Sequence, residues 1–239
     1  MLLLLTLFAV GLLYASVGHG GASGYIVTMT LLGVAPAVIK PTALLLNLFV
    51  SSVAFLQFYR AGHFRWNAFW PFAVASVPMA FLGARVPLSD QLYRQLLAAC
   101  LLLLVVRLVW SARRTDDNHA RPIPLAGALL TGAVIGLLSG MLGIGGGIIL
   151  SPLLLFFRWA NTRQTAATSA LFIFVNSLSG LTSLLGRGYV PDAQQWSWIA
   201  AAFTGGLVGG YVGSRQFSVP TLRYVLAVGV AIACAKLLI

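Results

Sequence analysis

Two glycine clusters are the part of this sequence best suited to chemistry. They occupy positions 18–21 (GHGG) and 143–147 (GIGGG), each directly after an apolar run. Consecutive glycines interrupt a helix, and the helix that follows begins with backbone N–H groups that have no partner inside it. These N–H groups and the positive end of the helix dipole favour a small anion. The clusters therefore predict a pair of anion-binding helix breaks.

Hydrogen-bonding side chains follow both clusters along the chain. Each Ser or Thr either contacts a ligand or bonds to a neighbouring helix or to the carbonyl four residues earlier. His19 is either a proton-coupling group or a packed neutral imidazole, and Lys40 either reaches inward or extends to the membrane interface. The candidate binding residues are Gly18, His19, Gly20, Gly21, Ser23, Lys40, Thr42, Asn47, Gly143, Gly145, Gly146, Gly147, Thr168, Ser169 and Asn176.

The acidic residues argue against a cation as substrate. The chain has four of them, Asp90, Asp116, Asp117 and Asp192, and each falls in a predicted loop or at a segment boundary. Carriers of protons or other cations usually keep a carboxylate inside the membrane. Sulfite, thiosulfate, sulfonates, carboxylates or other small anions fit the expected backbone donors better.

The elements that must position these residues are membrane helices. The chain is 59% hydrophobic and 8% charged over 239 residues, whereas soluble domains are about 25% charged. Residues 1–39 carry no charge, and one helix of that length would measure about 58 Å against a bilayer core of about 30 Å. The net charge of +11 comes from basic residues scattered at the ends of apolar runs, which is not the clustered pattern of a nucleic-acid-binding face. The first segment lacks the features of a cleaved signal peptide and is expected to remain.

Apolar runs divide the chain into two halves of five segments each. The strongly polar stretch 111–121 separates the halves and is expected to be a solvated connector, so residues 1–110 and 122–239 are predicted to form two membrane repeats. The predicted segments are 2–17, 22–38, 42–59, 67–84 and 92–110, then 123–142, 146–157, 165–185, 196–213 and 222–238. The first two segments of each half are short or broken at the glycine clusters. Gly205, Gly206, Gly209, Gly210 and Gly213 near the carboxyl end are instead typical of close helix packing.

The halves share landmarks at a nearly constant offset, which indicates an internal duplication. The matching landmarks are 18–21 with 143–146, Thr42 with Thr168, Gly62 with Gly188, 83–85 with 213–215, and Leu92 with Leu222. An odd number of crossings in each half would make the two repeats inverted. The predicted fold is therefore an all-α integral membrane protein with two inverted repeats.

The distribution of basic residues predicts the orientation. In the inverted arrangement both termini lie on one side of the membrane and the connector on the other. The connector side collects Arg60, Arg65, Arg107, Arg113, Arg114, Arg121, Arg158, Arg163, Arg215 and Arg223, and the opposite side collects Lys40, Arg85, Arg94, Arg187 and Lys236. Positive charge favours the cytoplasmic side. We therefore expect a cytoplasmic connector and outward termini in a bacterial-type inner membrane.

The motifs of common enzyme and metal sites are missing from the sequence. It has no HExxH, GxSxG or P-loop, and no His, Cys or carboxylate set with metal-ligand spacing. Cys100 and Cys234 lie inside apolar runs and are interpreted as small buried hydrophobic residues. We expect neither a catalytic activity nor a cofactor or metal.

The second-half pattern GLLSGMLGIGGGIILSPLLL at 136–155, followed by TAATSALFIFVNSLSGLTSLLGRGYV at 165–190, resembles the TauE/SafE family of sulfite and organosulfur anion exporters. The first half, YASVGHGGASGYIVTMTLLGV at 14–34, is similar to its usual divergent partner. The resemblance covers essentially the whole chain. It implies a secondary transporter of small, often sulfur-containing anions, with a site at the glycine breaks, and it adds Pro152 to the candidate binding residues.

Several alternatives to a carrier stay open at this point. A channel-like conductor would transport anions without saturation or exchange. A membrane enzyme or assembly subunit handling sulfur compounds would need a reactive cysteine or metal set. The substrate, the transport direction, a coupling proton or ion, and the oligomeric state are not determined by the pattern.

Overall fold

The computed structural model describes residues 1–89, 91–93, 95–96, 98–99, 102 and 121–215. This part of the chain is helical and contains no strand, which confirms the predicted all-α class. The helices are α1 (Leu2–Ser16), α2 (Ala22–Leu31), α3 (Pro36–Arg60), α4 (Trp66–Arg85), α5 (Leu125–Leu142), α6 (Gly147–Phe156), α7 (Thr162–Leu185) and α8 (Ala193–Arg215). Most of the predicted segment 92–110, all of segment 222–238 and most of the connector lie outside the described residues.

Four of these helices, α3, α4, α5 and α7, are long and apolar enough to cross a membrane. They contain 18 to 25 residues and so measure about 27–38 Å, which matches a bilayer core of about 30 Å. The chain is therefore a multi-pass integral membrane protein. Helices α2 and α6 contain 10 residues each, or about 15 Å, and reach only half of that thickness.

The boundary between α2 and α3 differs from the predicted one. The apolar run 22–38 predicted one segment, but α2 ends at Leu31 and α3 begins at Pro36. Gly33 has φ +74°, a left-handed conformation that stops the helix, and Pro36 stands at the first turn of α3, where its missing N–H has no intrahelical role. Lys40 therefore lies within α3 and not at its first residue.

Helices α1 and α8 pack with their backbones in direct contact. Every fourth residue of α8 along this face is glycine, and a Cβ on any of them would overlap a carbonyl oxygen of α1. The facing pairs are Gly205 with Phe8, Gly209 with Leu12, and Gly213 with Ser16. The packing interpretation of these glycines is confirmed.

Helices α4 and α5 form a second pair of the same kind. Here the glycines lie on α5 and the carbonyl oxygens on α4. The facing pairs are Gly132 with Phe72, Gly136 with Ser76, and Gly140 with Ala80. The first helix of each half thus packs against the fourth helix of the other half, so the two halves interlock.

Helices α3 and α7 occupy the space between the two pairs. They contact each other, and α3 also contacts α8 while α7 contacts α4. Their inner faces are fully buried and include Leu44, Leu46 and Phe172. The short helices α2 and α6 lean on α3 and α7, respectively, and this arrangement brings both glycine breaks to the middle of the molecule.

Candidate anion site at two glycine breaks

The first break separates α1 from α2. Gly18 has φ +75° and Gly21 has φ +93°, so the chain passes through the left-handed region at both edges of the break. Side chains with a Cβ rarely adopt this conformation, which explains the glycines. Helix α2 starts at Ala22 without a side-chain cap, so its first N–H groups stay available to a ligand.

The second break repeats this path between α5 and α6. Gly143 and Gly146 have φ +75° and +76°, and Gly145 is also left-handed at φ +72°. Helix α6 begins at Gly147, again without a side-chain cap. The predicted interruption of the helix at both glycine clusters is confirmed.

Both breaks meet the same two side chains, Asn47 of α3 and Ile173 of α7. A Cβ placed on Gly20 would lie 2.6 Å from Asn47 Oδ1 and 2.8 Å from Ile173 Cγ2. A Cβ placed on Gly145 would lie 2.7 Å from Ile173 Cγ2 and 3.0 Å from Asn47 Nδ2. The carboxamide of Asn47 therefore lies between the two breaks, and the predicted convergence of the glycine clusters occurs at this point.

Several buried polar atoms on the helices that form this meeting point have no hydrogen-bond partner among the described residues. Among the described residues, both carboxamide atoms of Asn47 have none, and neither do the hydroxyls of Ser51, one helical turn later, and of Ser177, one turn after Ile173. The same is true of Tyr25, Ser139, Thr165 and Thr168. A buried polar group that lacks a partner costs about 1–3 kcal/mol, so a ligand that supplies partners gains that energy. The chemistry offered is a set of neutral groups, in which the hydroxyls and Asn47 Nδ2 can donate and Asn47 Oδ1 can only accept.

Of these residues, Asn47 and Thr168 were predicted from the sequence as candidate ligands, whereas Tyr25, Ser51, Ser139, Thr165 and Ser177 were not. Ser51 and Ser177 differ by the same offset that relates Thr42 to Thr168, and each follows a central α3 or α7 residue by four positions. This combination of duplication offset and helical spacing could have identified them.

His19 connects the first break to the second half. Its Nδ1 lies 3.1 Å from the carbonyl oxygen of Val17, and its Nε2 lies 3.2 Å from Ser151 Oγ. Ser151 Oγ is in turn 2.6 Å from Ser169 Oγ. All three side chains are buried. The structure thus brings the predicted residues His19 and Ser169 together through Ser151, which the sequence did not single out.

Three other predicted residues are buried and already hydrogen-bonded within the protein. The hydroxyls of Ser23 and Tyr14 are 2.9 Å apart, and Thr42 Oγ1 accepts a hydrogen bond from Gln195 Nε2. The carboxamide of Asn176 accepts from Ser76 Oγ at 2.7 Å and donates to Phe172 O at 2.8 Å. These contacts join α1 to α2, α3 to α8, and α4 to α7. They give Ser23, Thr42 and Asn176 a role in holding the helices around the breaks.

The remaining predicted residues lie at the edges of the second break. Lys40 is half-buried, and its Nζ donates to Ala84 O at 3.2 Å. A Cβ on Gly143 would lie 3.0 Å from Lys40 Cγ, so the lysine stem covers the start of this break. Pro152 lies inside α6 next to Ser151 and is half-buried. A Cβ on Gly147 would overlap the Cδ1 atom of Ile173.

Comparisons with known proteins agree with this architecture. The sequence profile of the family "Sulfite exporter TauE/SafE" matches residues 3–237. The chain is 39% identical over 240 residues to the probable membrane transporter protein y4hK of Sinorhizobium fredii, covering 99% of this chain and 97% of the relative. It is 25% identical over 223 residues to the probable membrane transporter protein YdhB of Bacillus subtilis, covering 90% and 89%. No solved structure matches the chain.

The profile match includes both glycine breaks and the helices α3 and α7 between the two helix pairs, so it is not confined to one half. The relatives are described as probable membrane transporter proteins, and the matches cover 97% and 89% of their lengths. With its membrane-spanning helices, the chain is a membrane transporter and not an enzyme. It belongs to the sulfite exporter TauE/SafE family.

Proposed function

We propose that this protein is a secondary transporter that carries a small anion, in particular a sulfur oxyanion or organosulfonate, by alternating access to a site at the two glycine breaks. The bound anion would contact the first N–H groups of α2 and α6 and the side chains of Asn47, Ser51 and Ser177. The family description of sulfite export supports the substrate class.

The single observation that carries this proposal is the buried carboxamide of Asn47 between two uncapped helix starts. Neither carboxamide atom has a hydrogen-bond partner among the described residues. Backbone N–H groups and helix dipoles at two helix starts supply positive potential without a buried cation. The described part of the chain has one carboxylate, Asp192, in the loop before α8, so no acidic side chain opposes an anion there.

Alternating access in this proposal rests on the two repeats being inverted. The nearly constant offset between landmarks and the packing of the first helix of each half against the fourth helix of the other half support that relation. The excess of basic residues on the connector side favours a cytoplasmic connector with outward termini in the inner membrane.

Ligand binding to purified protein would test the proposal first. Sulfite, thiosulfate, methanesulfonate, sulfate, acetate and chloride would be compared by thermal unfolding in detergent. A ligand present at about 100 times its Kd stabilises the folded state by about 2.7 kcal/mol, which is readily measured. We expect a selective shift for a sulfur oxyanion. A well-folded sample that shifts with none of these anions would refute the proposed site.

Asn47→Leu gives a sharper version of this test. Leucine has the branched shape of asparagine but is larger and has no polar atoms, so it should abolish the anion-induced shift. Asn67→Leu is the matched control, because Asn67 is exposed near the start of α4. An unchanged anion shift in Asn47→Leu would exclude Asn47 from the site.

Flux through proteoliposomes separates a carrier from a channel. A carrier should show saturable uptake and should exchange labelled anion against unlabelled anion on the other side. Uptake that rises linearly with concentration, without exchange, would favour the channel-like alternative.

A further inference from the structure

Three cationic side chains gather at one end of the molecule, around the carboxyl end of α4. Lys40 Nζ donates to Ala84 O at 3.2 Å, and Arg187 Nη1 donates to Arg85 O at 3.4 Å. Arg85 lies over the ring of Phe81 at 4.3 Å and donates from Nε to Ser183 Oγ at 3.3 Å. Lys40, Arg85 and Arg187 are called the cationic cluster below.

Capping of the α4 carbonyls does not account for the whole cluster. The end of a helix carries about half a negative charge, whereas the cluster carries three positive ones. A lysine has three N–H donors and an arginine five, so the contacts above leave most donors unused. The one carboxylate among the described residues, Asp192, accepts the Gln195 N–H at 2.8 Å. The cluster therefore has both the charge and the donors to hold an anion.

The cluster is continuous with the second glycine break. The stem of Lys40 lies against Gly143, the first residue of that break, while its ammonium points to the end of α4. Arg85 and Arg187 are exposed, and Lys40 is half-buried. An anion held by the arginines at the surface would thus be next to Lys40, whose stem touches the break.

The sequence does not repeat this cluster at the equivalent positions. By the offset that relates Thr42 to Thr168 and Gly62 to Gly188, the counterparts of Lys40 and Arg187 are Ala166 and Ala61. Arg85 has a basic counterpart, Arg215, through the landmark that matches 83–85 with 213–215. The contacts support this correspondence, because a Cβ on Gly18 would lie 2.5 Å from Ala166, as one on Gly143 would approach Lys40. The cluster is not required by the duplicated architecture.

We propose that Lys40, Arg85 and Arg187 form a recruitment site that binds the transported oxyanion at one end of the protein before it reaches the glycine breaks. This inference rests on the proposed anion transport. The site recognises an exposed anionic oxygen group by charge and N–H donors, chemistry that a free oxyanion shares with a phospholipid headgroup.

Uptake kinetics in proteoliposomes test the recruitment role. Lys40→Gln, Arg85→Gln and Arg187→Gln would be compared with Arg65→Gln, a matched control at the opposite end of α4. Each cluster variant should lower kcat/KM for sulfite or thiosulfate about fivefold at low ionic strength with kcat retained, because it removes one unit charge near the anion. The loss should disappear near 1 M salt, where the Debye length is about 3 Å. The control should match the wild type.

Vesicle composition distinguishes the two sources of the anionic group. If the cluster recruits the free anion, the same loss occurs in pure phosphatidylcholine and in mixtures with phosphatidylglycerol. A loss confined to phosphatidylglycerol vesicles would assign the cluster to lipid headgroups and overturn the proposal. Normal wild-type uptake with unchanged variant kinetics would overturn the recruitment role alone. Absence of saturable wild-type uptake for every anion would refute the proposed transport and the recruitment role with it.

Discussion

Both glycine breaks leave one helix and start the next through left-handed residues, Gly18 and Gly21 in the first break and Gly143 and Gly146 in the second. Between these edges the breaks diverge. The first holds His19, which bonds to Ser151 of the other half, and the second holds Ile144, which is buried in the apolar core. The backbone path is common to both breaks, and the first break adds a polar side chain that contacts the other half.

The second break is also the more constrained of the two. It contains a third left-handed residue, Gly145, whereas the corresponding residue of the first break, Gly20, is not left-handed. It also requires glycine at position 147, because the side chain of Ile173 fills the space that a Cβ would occupy there. In the first half, Ala22 stands at the position of Gly147 and Asn47 at the position of Ile173. The comparison indicates that the second break is the more constrained in its backbone and that the first is specialised by its side chains.

The largest expected effect concerns the constraint on the second break. Gly146→Leu combines a left-handed backbone with a Cβ only 2.9 Å from Ile135 Cγ2 and 3.0 Å from Phe172 Cε1. We expect it to lower the free energy of unfolding by about 3 kcal/mol or more and to abolish anion binding. Thermal unfolding in detergent and the anion-induced shift would measure both.

Gly188→Leu is the control for that substitution. Gly188 has a similar left-handed φ of +86° but no atom within 4 Å of its Cβ position. It should therefore lose only the conformational cost of about 1–2 kcal/mol and keep anion binding. Equal losses in the two variants would mean that packing around the second break is not what requires glycine.

A smaller effect should distinguish the hydroxyls beside the two breaks. Ser151→Ala removes the hydroxyl that bonds both His19 and Ser169, which should lower the free energy of unfolding by about 1–3 kcal/mol. Ser139, which is close to Gly146, is equally buried but has no hydrogen-bond partner among the described residues. Ser139→Ala should therefore be neutral or stabilising. The opposite order of unfolding temperatures would contradict the hydrogen-bond chain through His19.

The sequence alone was enough to predict the breaks, because glycine at a left-handed position is a local requirement that the chain cannot meet otherwise. Hydropathy likewise predicted the helical membrane class, since the long apolar helices must match the bilayer. The boundary near Lys40 was wrong, because an apolar run does not distinguish a helix from two helices joined at Gly33 and Pro36.

The hydrogen-bond partners of the polar side chains could not be predicted, because they depend on which helices of the two halves pack against each other. Asn176 and Thr42 have side chains of the kind that often bind ligands. In the structure they are instead hydrogen-bonded to Ser76 and Gln195, respectively. Ser51 and Ser177 look unremarkable in an apolar helix and only the packed structure shows that their hydroxyls lack partners within the described part of the chain. Tertiary contact therefore decides whether a polar residue is structural or available.

The smallest predicted effect isolates the backbone difference between the breaks. Gly20→Ala and Gly145→Ala would each place a methyl group against the same two side chains, Asn47 and Ile173, at similar distances. Only Gly145 is left-handed, so its substitution should cost about 1–2 kcal/mol more, or about 2–8 °C in unfolding temperature. Thermal unfolding of both variants without ligand measures the difference directly. Equal unfolding temperatures would show that the shared contact with Asn47 and Ile173, and not the backbone conformation, limits both positions, and the second break would then be no more constrained than the first.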